Sequence, residues 1–153
     1  MKTRMDYRKV APDMFKAMLA LETSVRQGSL ERPLIELVKM RVSQINGCAY
    51  CLDMHSKDAR AAGETEQRLH VLPAWREAPF YSQRERAALA WAEALTLVST
   101  SGVPDALYDE VRAQFDEKAM VELTMAVIAI NGWNRLAIGF RSEVGGYVSK
   151  AHA

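Results

Sequence analysis

Along most of the chain the apolar residues return every three or four positions, the period of one helix face, and no stretch alternates in the manner of a strand. A first run, about Pro12 to Gln27, carries Met14, Phe15, Met18, Leu19, Leu21 and Val25 and stops at Gly28. A second, Leu30 to Ile45, aligns Leu34, Leu37, Val38, Val42 and Ile45. Pro33 is tolerated in its first turn, where no intrahelical N–H is needed, and Asn46-Gly47 ends it. A third opens around Cys48, continues through His55 to Ala62 and is closed by Gly63, with a shorter helix from Thr65 to Val71 before Pro73.

Beyond a link punctuated by Pro73 and Pro79, Ser82-Gln83-Arg84-Glu85 has the form of a capping box, and the apolar run behind it extends to Val98. Pro104 suits the first turn of a helix through Phe115, and a last long helix is predicted from about Glu117 to Gly139. These segments predict an all-α fold of six or seven helices. One compact domain over residues 1–153 is expected, with loose termini at about 1–11 and 145–153 and no solenoid repeat.

Composition narrows the partners. At 153 residues, 49% apolar and 25% charged, the chain can bury a real core. Twenty Lys and Arg against 19 Asp and Glu leave a net charge of +1, too little field for a general nucleic-acid binder. The longest apolar stretch, Ala119 to Phe140, is interrupted by Glu122, Asn131, Asn134 and Arg135, so no membrane crossing is expected there. The N-terminal residues show no secretory apolar core, and cytoplasmic residence is the expectation.

The chemistry concentrates at Cys48-Ala49-Tyr50-Cys51, the two cysteines of the chain. Neighbours three apart inside a regular helix are about 5–6 Å apart at Cβ, too far for a disulfide, so Cys48 is expected at the helix entrance behind Gly47. There the unpaired N–H groups and the positive end of the helix favour a thiolate. His55 stands four residues after Cys51 on the same face and can take or return its proton, which favours a thiolate at Cys51 instead. Both assignments stand at this level. Glu36, amid apolar neighbours on the preceding helix, could polarise His55; it could equally pair with Lys39 or Arg41 on a wet face.

Other readings compete. The cysteines could be two small core residues, or zinc ligands with His55, completed by His70, His152 or a carboxylate. His70 reads as a core-edge histidine, and Asn131-Gly132-Trp133-Asn134-Arg135 as a hydrogen-bonded packing or subunit contact.

Glu36, then Arg41-Val42-Ser43-Gln44-Ile45-Asn46-Gly47-Cys48-Ala49-Tyr50-Cys51, then His55 resemble the carboxymuconolactone decarboxylase-like superfamily, and within it the AhpD-like alkylhydroperoxidases. Similarity extends more loosely over about residues 30 to 140. Tyr50 departs from the best-known AhpD pattern, which carries a histidine there. The resemblance implies an all-α, AhpD-like fold in homo-oligomers, trimers or hexamers, and a peroxidase cycle with no metal or bound organic cofactor. It implies further that Cys51 is peroxidatic, Cys48 resolving, His55 the proton acceptor and Glu36 the relay carboxylate. The expected function is therefore reduction of alkyl hydroperoxides, with re-reduction of a Cys48–Cys51 disulfide by an external dithiol, protein or lipoyl. Dithiol–disulfide exchange or redox sensing with such a partner, and a non-enzymatic zinc-bound interaction module, are the alternatives.

Overall fold

In the computed structural model, which describes residues 2–149, the helix ends fall close to where glycine, proline and the caps put them. The order is α1 (Tyr7–Val10), α2 (Pro12–Arg26), α3 (Arg32–Asn46), α4 (Ala49–Ala61), α5 (Glu66–Val71), α6 (Gln83–Thr96), α7 (Val98–Ser101), α8 (Asp105–Arg112) and α9 (Glu117–Phe140), with a 3₁₀ turn at Leu72–Ala74. No strand occurs among the described residues.

Among the described residues nine helices thus stand where six or seven were expected. The two additions, α1 and α7, are four residues each, a single turn in which no apolar face can repeat. The capping box at the start of α6 is formed: Ser82 Oγ accepts from Glu85 N–H at 3.2 Å while Glu85 Oε2 accepts from Ser82 N–H at 2.7 Å. Asp116 caps α9 through Ala119 N–H at 2.8 Å.

The central element is α3, which packs against α4, α6 and α9 and is therefore buried nearly all round. Val38 and Val42 are fully buried there beside Leu123, Ala126, Val127 and Ile130 of α9 and Ala88 and Ala92 of α6. A second apolar cluster joins Leu37 and Met40 to Leu69, Leu72, Trp75, Tyr81 and Leu89. Because α3 is enclosed, its polar residues Glu36, Lys39 and Ser43 are buried too. Such groups need partners inside the protein, and those partners build the site. Among the described residues no helix is long and apolar enough to cross a membrane.

The described segments before α1 and after α9 fold back onto this frame. Arg4 N–H donates to Phe140 O at 3.0 Å, and Tyr147 Oη donates to Asp58 at 2.9 Å.

Candidate redox site

The corner between α3 and α4 follows from one glycine. Gly47 takes the left-handed backbone, φ 66°, that closes α3 in Schellman form: Cys48 N–H bonds Ser43 O at 3.0 Å and Gly47 N–H bonds Gln44 O at 3.3 Å. The next residue, Cys48, is thereby the extended N-cap of α4, and Cys51 lies one turn in. Both are free thiols here, and both are buried. Cys48 thus lies at the helix entrance, as its spacing required.

The two sulfurs share one set of charges. The Cys51 thiol bonds the Cys48 sulfur and is the largest cause holding Cys48 down at about 7, against burial; the N–H groups of Cys51 and Tyr50 and the Asn134 amide add to it. The same contact, with burial, pushes Cys51 well above the usual thiol range, and Asn134 and the Lys39 ammonium only partly offset this. The shared contact thus lowers Cys48 and raises Cys51, the direction the helix N-terminus also favours.

His55 Nδ1 lies 2.7 Å from Glu36 Oε2 in a buried pair. Burial raises the Glu36 carboxyl, but the His55 hydrogen bond and charge, with Lys39 and Arg26, outweigh it and hold Glu36 below the usual carboxylate range. An ionised Glu36 makes Nδ1 the donor, so the lone pair of neutral His55 is on Nε2. Nε2 is buried and hydrogen-bonds no described group. His55 and Cys51 line one cavity of about 260 Å³, whose wall combines Phe15, Met54 and Trp133 with the charged Arg8, Glu22 and Arg26. The imidazole and the Cys51 thiol share this space without a direct hydrogen bond.

Several members of the site carry no sequence signature. Lys39, fully buried, forms an ion pair with Glu22, which also accepts from Arg26 Nε at 2.7 Å and Trp133 Nε1 at 3.3 Å. Burial works against the Glu22 charge, yet Lys39 and Arg26 hold it at about 2. Asn134, completely buried, touches both thiols, accepts from Asn46 Nδ2 at 2.8 Å and donates to Ser43 Oγ at 3.1 Å. The amides of the Asn131–Arg135 segment thus join α9 to the cysteine corner. Asp58 accepts from Tyr147 Oη and from Ser149 Oγ at 2.6 Å.

Glu36 is not on a wet face: Lys39 turns to Glu22, and Arg41 Nε bonds Glu93 Oε1 at 2.7 Å. His70 is exposed on α5, beside a separate hollow with Met40 and Gln44. Among the described residues the donor atoms that converge, all within 4.8 Å, belong to Glu36, His55 and Asp58 and not to Cys48, Cys51 and His55. Their Nδ1 and carboxylate atoms are already engaged by one another and by Tyr147 and Ser149. His152, the remaining histidine weighed as a ligand, lies outside the described residues.

The family model for carboxymuconolactone decarboxylases matches residues 12–94, more than half the chain and all of the Glu36–His55 stretch. The chain belongs to the carboxymuconolactone decarboxylase family. Within it, the uncharacterized protein YdfG of Bacillus subtilis (strain 168) is 48% identical over 138 residues, 90% of this chain and 94% of YdfG. The uncharacterized protein YnjA of Escherichia coli (strain K12) is 36% identical over 120 residues, 78% of this chain but 63% of YnjA. A crystal structure from Agrobacterium tumefaciens, of unknown function and provisionally named antioxidant defence protein AhpD, superposes with a TM-score of 0.92 at 45% identity, over 95% of this chain and 100% of that one. The debrominase Bmp8 shares the fold, with a TM-score of 0.79 and 24% identity over 88% of this chain and 73% of its own.

Proposed function

We propose that this family member is a thiol peroxidase for small organic hydroperoxides. The observation that carries the reading is the shared cavity: a buried cysteine with a second thiol against it, and an unpartnered imidazole nitrogen whose tautomer is fixed by a carboxylate. The provisional antioxidant name of the 45% identical Agrobacterium protein agrees with it.

In this reading the Cys51 thiol passes its proton to His55 Nε2 across the cavity, and Glu36 balances the imidazolium. The thiolate attacks the terminal peroxide oxygen; the S–O bond forms, the O–O bond breaks, and the imidazolium returns the proton to the departing alkoxide. The Cys48 thiolate then attacks the sulfenic sulfur, forming the disulfide and expelling hydroxide, which takes a proton from solvent. An external dithiol returns two electrons and two protons. Cys48, the thiol whose pKa is lowered, suits the second step, while Cys51 and His55 suit the first because they border the space a hydroperoxide can enter.

The test is a pair of variants. Cys51→Ser should abolish turnover, and Cys48→Ser should leave a sulfenic acid on Cys51 that a dimedone-type probe traps after hydroperoxide. Undiminished turnover in the first, or no adduct in the second, contradicts the assignment.

The low pKa of Cys48 favours one other reading, dithiol–disulfide exchange with a protein or lipoyl partner. It requires fast exchange with a disulfide and poor hydroperoxide turnover.

A further inference from the structure

Tyr50 and Ala137 stand between two hollows. One is the cavity of Cys51 and His55. The other is an open cleft of about 880 Å³ whose lining includes Gly47, Cys48 and Ala49 at the start of α4. Cys51 does not border the cleft, and Cys48 does not border the cavity. Each cysteine of the buried pair therefore borders a different hollow.

The cleft is positively charged. Lys2, Arg4 and Arg141 line it against a single carboxylate, Glu143. Among the described residues no carboxylate pairs with any of the three cations. Arg4 Nη1 bonds Gly139 O at 3.0 Å and its backbone N–H bonds Phe140 O, which pins the N-terminal arm beside the end of α9. Arg141 ends α9 at φ 56°, the one non-glycine with positive φ among the described residues. A left-handed position of this kind suits glycine or asparagine better. An arginine there sets a third cation on the rim at the expense of backbone ease.

We infer that the cleft is where the reductant docks, and that the reductant is an anionic dithiol which attacks Cys48. The inference rests on the proposed formation of a Cys48–Cys51 disulfide. The entering thiolate forms a mixed disulfide with Cys48 as the Cys48–Cys51 bond breaks, and Cys51 leaves as a thiolate that takes a proton from solvent. The second thiol of the reductant loses its proton to solvent and attacks its own mixed-disulfide sulfur, releasing the Cys48 thiolate and an oxidised cyclic disulfide. The reductant loses two electrons and the protein disulfide gains them. Hydroperoxide and reductant then enter by separate openings and need not exclude each other.

The test starts from protein oxidised with diamide, so it does not depend on hydroperoxide chemistry. Reduction by 2,3-dimercaptopropanesulfonate is compared with reduction by 2,3-dimercaptopropanol, which replaces the sulfonate by a neutral hydroxyl, and followed by acid quench and intact mass. At low salt the sulfonate should be faster by roughly three- to tenfold, with the advantage shrinking as salt screens it. Arg141→Glu should remove the advantage, and Glu143→Gln should enlarge it. Arg141→Gly, which suits the backbone there, should lower it without risk to the fold.

A Cys-x-x-Cys peptide flanked by glutamates separates two sources of such a dithiol. Saturation at lower concentration than the sulfonate assigns the cleft to a protein-borne reductant; saturation no better assigns it to a free one. Equal rates for the two small dithiols at low salt, a ratio indifferent to these variants, or failure of diamide to form the disulfide would overturn the inference. Loss of the hydroperoxide reaction alone, with the charge dependence intact, would instead overturn the peroxidase reading.

Discussion

Glu36 Oε2 and His55 Nδ1 are 2.7 Å apart and both side chains are buried, so one carboxylate decides which imidazole nitrogen faces the cavity. Glu36→Gln keeps an acceptor for Nδ1–H but removes the charge that balances an imidazolium. The oxidation half-reaction should slow by about 100-fold, with a changed pH–rate profile and a thermal unfolding midpoint near that of the wild type. A single-turnover assay with tert-butyl hydroperoxide across pH reads this. Wild-type rates in Glu36→Gln would remove the relay.

The thiol pair makes its own prediction. Cys48 is held at about 7 chiefly by the Cys51 thiol, so ultraviolet thiolate absorbance of the wild type should titrate near that pH. In Cys51→Ala the largest stabilising contact is gone while burial remains, and the midpoint should climb toward the ordinary 9.0. A midpoint that stays put would assign the shift to the α4 N-terminus alone.

The Lys39–Glu22 pair tests whether the buried charges behind the site are structural. Glu22→Gln leaves the fully buried Lys39 ammonium without its partner and should destabilise the fold by about 3–5 kcal/mol in urea titration. The sign with pH follows. The folded Glu22 carboxyl, at about 2, lies below its ordinary 4.5, so its stabilisation is present above about 4.5 and is lost as pH falls toward about 2. Acid unfolding of Glu22→Gln should lack that component.

Helix placement is legible wherever an apolar face repeats over at least two turns or a cap is spelled out, as at Gly47 and Ser82. It is illegible for α1 and α7, single turns too short for an apolar face to repeat. At the site, Cys48 as helix entrance follows from the local rule that glycine ends one helix and frees the next. The Glu36–His55 contact rests on the resemblance, because spacing alone left Glu36 as ready to face water beside Lys39. What turned it inward is the enclosure of α3 on three sides, a tertiary fact. The same enclosure buries Lys39 and brings it to Glu22 of α2, and it sets Asn134 against both sulfurs. Asp58 and Tyr147 meet across 89 residues, a separation no local pattern encodes.

Self-association, expected from the resemblance, has a narrow physical basis on α9. Met120, Leu123, Ala126, Val127, Ala129 and Ile130 are used in the core, whereas Val121, Met125 and Ile128 form an exposed stripe 62%, 36% and 50% accessible. We expect a homo-oligomer that closes over this stripe and is weakened by Ile128→Glu. Light scattering reads it, and a wild-type monomer at micromolar concentration would refute it.

The central claim, that this dithiol reduces hydroperoxides, is tested most directly by intact mass of the reduced protein before and after one equivalent of an organic hydroperoxide, quenched over seconds. Rapid loss of two hydrogens, mapped to a Cys48–Cys51 disulfide, is the predicted result; thiols that remain intact over minutes would contradict it.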